Sequence, residues 1–124
     1  MAFAEPQFDL SEEDVDERTH VIVVVGEIHV STADRFSQLL DEAIGRGKTA
    51  VVLDLSAVEF IDSTGLSVLL NGLRHVTRRG GRMVLVCANP TVMRLFEITH
   101  LDATFDIRPT RDEALSALRE PPAG

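Results

Sequence analysis

Val51–Leu70 reads VVLDLSAVEFIDSTGLSVLL: a β-branched apolar run, a polar turn at Asp62-Ser63-Thr64-Gly65, then leucines at helical spacing. A short, nearly continuous apolar run marks a strand covered on both faces, as in a parallel sheet. Leu66, Leu69, Leu70, Leu73 and Val76 share one stripe of a helix that Gly80-Gly81 stops. Asp62, Ser63, Thr64 and Gly65 then occupy the first turn of that helix. There the backbone N–H groups have no intrahelical partners and the dipole is positive.

The same alternation extends in both directions. His20–Gly26 (HVIVVVG) and Met83–Cys87 (MVLVC) read as further central strands, and Ala103–Ile107 (ATFDI) as an edge strand. Gln7–Leu10 is expected to pair with the Val21 strand, with the acidic stretch after it as the connection. Ser31-Thr32-Ala33-Asp34 reads as a capping box for a helix carrying Ala33, Phe36, Leu39, Leu40, Ala43 and Ile44 inward and ending at Gly45 and Gly47. Asn89-Pro90 opens a short helix that turns Val92, Leu95 and Phe96 inward. Thr110–Glu113 caps a last one with Ala114, Leu115 and Leu118. Strand–helix repeats need crossovers, so the expected fold is α/β: a mixed, mostly parallel sheet of four to five strands with about four helices packed on it. The 124 residues form one domain, with its core at about 8–118 and flexible ends at 1–6 and 120–124.

Composition narrows the function. Of the net charge of −8, residues 1–20 hold seven acids against Arg18, and the remainder is close to neutral without a basic stripe for nucleic acid. The acidic block reads as a solvated loop or arm. Arg74, Arg78, Arg79 and Arg82 sit where a helix C-terminus favours cations. No apolar run is long enough to span a membrane. The start, MAFAEPQFDLSEED, lacks the basic and apolar regions of a secretory signal, so the expected location is cytoplasmic. Cys87, the single cysteine, reads as a small buried hydrophobe.

Catalytic patterns fail one by one. A nucleophile elbow, G-x-S-x-G, needs glycine where Ile61 stands. There is no G-x-x-x-x-G-K-[ST] loop, and the histidines and acids show no metal-ligand spacing. No enzyme, cofactor or metal is expected. Six phenylalanines are the only aromatics, and Phe36, Phe60 and Phe96 fall at core positions.

The runs VVVGEIHVSTADRF, LDLSAVEFIDSTGLSVLL and RRGGRMVLVCANPTVMRLFEITHL resemble the STAS domain (sulfate transporter and anti-sigma factor antagonist) over roughly residues 8–118. The D-S-T-G-L core is similar to that of standalone bacterial anti-sigma factor antagonists. In such proteins the serine after the aspartate is phosphorylated by the partner, an anti-sigma factor that is an ATP-dependent serine kinase. That position is Ser63, with Thr64 as the rival acceptor. The resemblance implies partner switching: unmodified Ser63 permits capture, the phosphate ends it, and a PPM-family serine phosphatase restores it. The implied docking face comprises the 26–32 loop, the 60–65 turn and the start of the following helix, with Glu27, His29, Ser31, Asp54, Asp62, Thr64, Gly65 and Leu66 as contact residues. In one respect the chain departs from the family, having His29 where an aspartate commonly follows G-E-[LIV]. Two alternatives stay open: a STAS assembly module without phosphorylation, self-associating or not, and a domain that binds a small ligand.

Overall fold

The computed structural model describes residues 8–120. In chain order the elements are β1 (Asp9–Asp14), β2 (Thr19–Ile28), α1 (Ala33–Gly45), β3 (Ala50–Ile61), α2 (Ser63–Arg78), β4 (Arg82–Val86), α3 (Pro90–Ile98), β5 (Asp106–Arg108) and α4 (Arg111–Arg119). They form one five-stranded sheet in the order β1-β2-β3-β4-β5. The β1–β2 pair is antiparallel and the other three pairs are parallel. The expected mixed α/β architecture is therefore present.

Alternation along the strands distributes the core to two faces. Val51, Leu53 and Leu55 of β3 point to α1, α2 and α3, where they meet Phe36, Leu40, Leu69, Val76 and Phe96. Val52, with Val21 and Val84, points the other way onto Ala114 and Ala117 of α4. Both sides of the central strands are covered, which is why their sequence is apolar almost without interruption. Cys87 lies buried in the larger cluster, and burial pushes its thiol pKa up.

Several expectations need correction. Residues 11–14 do not connect β1 to β2; they are part of β1, paired from Asp9↔Val25 to Asp14↔His20. Nor is this acidic block a solvated arm, because the pleat assigns its carboxylates to both faces of the sheet. Glu12 and Asp14 bracket the buried imidazole of His20 at 2.8 and 2.5 Å, and Arg46 and Lys48 close over them at 3.4 and 3.2 Å. Hydrogen bonds from His20 and then Lys48 hold the Asp14 carboxyl below its usual pKa. On the other face Glu13 pairs with Arg111 of α4. β5 starts at Asp106 rather than Ala103, because residues 101–104 form turns after α3. The capping box at Ser31 is absent: Thr32 precedes α1 without a side-chain cap bond, its hydroxyl being bonded within the preceding loop. Phe60 is not core but 47% exposed. The inward stripe of α2 is Gly65, Leu69, Gly72 and Val76, with Leu66, Leu70 and Leu73 on its margin. Asn89 and Thr110 do cap α3 and α4, accepting from Thr91 N and Glu113 N. Of the expected flexible ends at 1–6 and 120–124, all but Glu120 lie outside the described residues, as does the start of the first strand at Gln7; the Glu120 carbonyl accepts from Arg82 Nη1 at 2.8 Å. No helix among the described residues is long and apolar enough to cross a membrane.

Gly80 and Gly81 stop α2 in different ways. Gly80 adopts a positive φ of 76°, whereas Gly81 brings the chain so close to β3 that an added Cβ would lie 2.4 Å from the Thr49 carbonyl oxygen. That oxygen accepts the first inter-strand bond of β4, from Arg82 N at 2.7 Å. Gly81→Ala should therefore destabilise by about 1–3 kcal/mol in urea unfolding, a cost typical of overpacking. Gly45→Ala, whose added methyl meets nothing within 4 Å, should be neutral or stabilise by up to about 1 kcal/mol. Equal effects of the two substitutions would contradict this account of the turn.

Candidate functional site

β2 and β3 run parallel with Ile28 opposite Ile61, so their C-terminal ends release two loops side by side at one end of the sheet. The carboxyl ends of parallel strands are where α/β folds present binding residues. One loop, His29–Thr32, leads into α1; the other is Asp62 alone, which caps α2.

Asp62 joins them through three bonds. Its backbone N–H donates to the Ile28 carbonyl at 3.0 Å. Its Oδ1 accepts from Gly65 N at 2.9 Å, and its Oδ2 accepts from Val30 N at 3.2 Å. The first carboxylate bond is an ordinary N-cap, worth about 1 kcal/mol. The second reaches 32 residues back in the chain, which capping does not require. The approach is possible because residue 65 is glycine: a Cβ there would lie 2.8 Å from the Ile28 carbonyl oxygen and equally close to Ile28 Cγ2 and Ile61 Cγ2.

Side chains also order the β2–α1 loop. Thr32 Oγ1 donates to the Glu27 carbonyl at 2.8 Å and accepts from His29 N at 3.0 Å. His29 Nδ1 accepts from Ser31 N at 3.1 Å, and its Nε2 faces the Glu27 carboxylate at 3.9 Å. The imidazole thus shapes its own turn.

Ser63 is the first residue of α2 and is exposed. The local bond from Ser67 Oγ goes to the Ser63 carbonyl, so the backbone of Ser63, not its hydroxyl, serves the helix. Thr64 and Leu66 are half-buried beside it, Gly65 is buried, and Ser31 is exposed across the loop. Glu27, His29, Ser31, Asp62, Thr64, Gly65 and Leu66 therefore gather around Ser63 at one end of the sheet.

Asp54 does not join them. It lies mid-strand on the α4 face, where its Oδ2 pairs with Arg111 at 3.2 Å and its Oδ1 accepts from Ser56 N. Sequence reasoning also missed two apolar members. Val30 is 71% exposed in the loop, and Phe60 lies at the end of β3, opposite Glu27. Phe60 borders a shallow cavity of about 130 Å³ that Glu59, Ile61, Thr91, Val92 and Leu95 complete. Phe60 was missed because the two one-residue register shifts against β2 cancel and leave it on the Val52 parity, facing the α4 side, yet no residue of the α4-side cluster comes from β3 beyond Val52, so nothing covers it there. Each shift reverses which residues point inward.

The two segments 26–32 and 58–70 contain Glu27, Glu59 and Asp62 but no lysine or arginine. Among the described residues no group of three or more His, Cys, Asp or Glu is placed to hold a metal. The arrangement offers a nucleophilic hydroxyl in the open, fixed at the tip of a helix and framed by apolar and acidic groups. Such an open surface differs from the enclosed, mostly apolar pocket that a small ligand needs.

Comparison with known proteins agrees with this geometry. The profile of the STAS domain family matches residues 12–114. An anti-sigma F factor antagonist of Paenibacillus polymyxa is 35% identical over 101 residues, covering 81% of this chain and 84% of that one. Among solved structures, an anti-sigma factor antagonist from Mycobacterium paratuberculosis superposes with a TM-score of 0.85 at 35% identity, covering 94% of this chain and 98% of that one. The Bacillus cell fate determinant SpoIIAA in its phosphorylated form gives a TM-score of 0.69 at 26% identity, covering 91% and 100%. The chain belongs to the STAS domain family, with anti-sigma factor antagonists as its relatives.

Proposed function

We propose that this protein is an anti-sigma factor antagonist that captures its anti-sigma factor through the face around Ser63 and releases it when Ser63 is phosphorylated. Capture frees the sigma factor for transcription, and phosphorylation reverses that. The protein's role is binding, not catalysis; the kinase is the captured anti-sigma factor, and a PPM-family serine phosphatase resets the switch. The observation that carries the reading is the exposed Ser63 at the first position of α2, flanked by exposed Val30 and Phe60. Relatives named as anti-sigma factor antagonists and a solved relative in phosphorylated form support it.

The transfer step is a displacement at phosphorus. Ser63 Oγ attacks the γ-phosphorus of ATP, the bond from that phosphorus to the β–γ bridging oxygen breaks, ADP leaves, and the hydroxyl proton passes to the kinase or solvent. Thr64, half-buried one position further into the helix, is the less accessible acceptor.

Electrostatics decide the consequence. The phosphate adds about −1.5 to −2 charges and three acceptor oxygens. The positive end of α2 returns only about 0.3–1 kcal/mol. Next to Asp62, and with no lysine or arginine in either segment, the added charge must lose its water when a partner closes over it. An unpaired charge so buried costs several kcal/mol. A loss of about 3 kcal/mol is already about a hundredfold in affinity.

Ser63→Ala should bind the anti-sigma factor constitutively and Ser63→Asp about a hundredfold more weakly, as read by titration calorimetry. Equal affinities would overturn the switch, and phosphopeptide mapping that finds the phosphate on Thr64 would reassign its site. Val30→Ser and Phe60→Ala should each weaken capture by about tenfold or more, as truncation of interface anchors does. Because both side chains are exposed, the melting temperature should hardly move. Full affinity in both variants would place the interface elsewhere.

A further inference from the structure

We propose that Asp62 couples Ser63 to the β2–α1 loop, so that a phosphate on Ser63 releases the Val30 amide and unfastens the apolar part of the docking face. This rests on the reading of Ser63 above and adds the route by which the modification acts.

Asp62 divides its carboxylate between two elements. Oδ1 serves the helix that carries Ser63, at 2.9 Å from Gly65 N; Oδ2 serves the loop, at 3.2 Å from Val30 N. Ser63 and Thr64 are the first two residues of α2, positions whose backbone N–H groups have no partner within a helix. A phosphate on Ser63 Oγ is tethered within reach of these donors, at the same positive end that Asp62 caps. Two anions then share one helix terminus, and like charges this close disfavour each other. The charged groups around them from β2, its loop and β3 are Glu27, His29 and Glu59, with no lysine or arginine to neutralise the pair.

Relief comes by rotation of the Asp62 carboxylate away from the phosphate. The bond to Gly65 N lies within the helix's own first turn, whereas the longer bond to Val30 N crosses to an exposed loop residue. The loop bond is the one that yields. Below it, Asp62 N stays on the Ile28 carbonyl and Thr32 Oγ1 stays on the Glu27 carbonyl, so the change is confined to the segment around Val30. Val30 is the most exposed of the large apolar side chains described, at 71%. Its amide loses the one side-chain acceptor that fixes it. Phosphorylation thereby acts twice, adding a charge and removing the order of an apolar anchor.

The test uses the isotope-labelled chain with phosphoserine installed at position 63 during translation, so that no kinase is required. Amide proton exchange at Val30 is compared in the unmodified and phosphorylated chains, each with Asp62 and with Asp62→Asn. With Asp62, phosphoserine should speed Val30 exchange about tenfold or more, the equivalent of one charge-assisted hydrogen bond. Exchange at Ile28 and across β3 should stay unchanged, which also checks the fold. Asp62→Asn keeps an oxygen for Gly65 N and has no second one for Val30, so Val30 should exchange fast already and phosphoserine should add nothing. No acceleration with Asp62, or equal acceleration in both backgrounds, overturns the coupling. Affinity for the anti-sigma factor is measured on the same samples. Faster Val30 exchange with undiminished capture would uphold the coupling and refute release by phosphorylation; lost capture with a static Val30 would do the reverse.

Discussion

The contact on which the rest depends is the approach of the α2 N-terminus to the end of β2. Residue 65 must lack a side chain for the helix to come this near the Ile28 carbonyl, and only then can one carboxylate, that of Asp62, bond to both the helix and the loop. The sheet's parallel register sets the two loops side by side; the glycine lets them touch; the aspartate ties them. Ser63 then sits exposed at the tip because the buried stripe that begins at Gly65 holds the helix by its opposite side.

A second constraint concerns the edge of the sheet. β1 is too polar to be held by apolar burial, yet an edge strand left loose would expose the backbone of β2 to pairing with other chains. Its carboxylates supply the attachment: His20 receives Glu12 and Asp14 on the α1 side, and Arg111 receives Glu13 on the α4 side. Arg111 also holds Asp54 of β3, so this arginine links β1, β3 and α4. Much of the chain's negative charge thus serves the fold, whereas Glu27, Glu59 and Asp62 are left at the end of the sheet that carries Ser63.

The sequence made the sheet and helices legible because each central strand is apolar on both faces and each helix carries its own stripe and stop. Ser63 and Asp62 were legible for a related reason: a polar quartet between a buried strand and a leucine stripe must surface at the start of a helix. What escaped required knowledge of neighbours across the sheet. The role of the acidic stretch depends on the register that sets Asp14 opposite His20. Phe60 looks like core by its apolar character, but it lies along β3 beyond Val52, where the α4-side cluster has ended, and is exposed. Asp54 reads as a site acid because it lies on the strand that leads to Asp62, but the pleat turns it toward Arg111. Val30 carries no pattern of its own, and only the bond to Asp62 reveals its place. Gly65 belongs to a familiar motif, yet its reason, a backbone oxygen within 2.8 Å of the absent Cβ, is visible only in three dimensions.

The most direct test of this account is titration calorimetry of Gly65→Ala against the anti-sigma factor, at a temperature where circular dichroism shows the variant folded. If the docking face is made by α2 lying against Ile28, the added methyl displaces the helix tip, the Asp62 bridge to Val30 opens, and affinity falls by about tenfold or more. Full affinity in a folded Gly65→Ala would mean that the face does not depend on that contact, and the account built on it would fail.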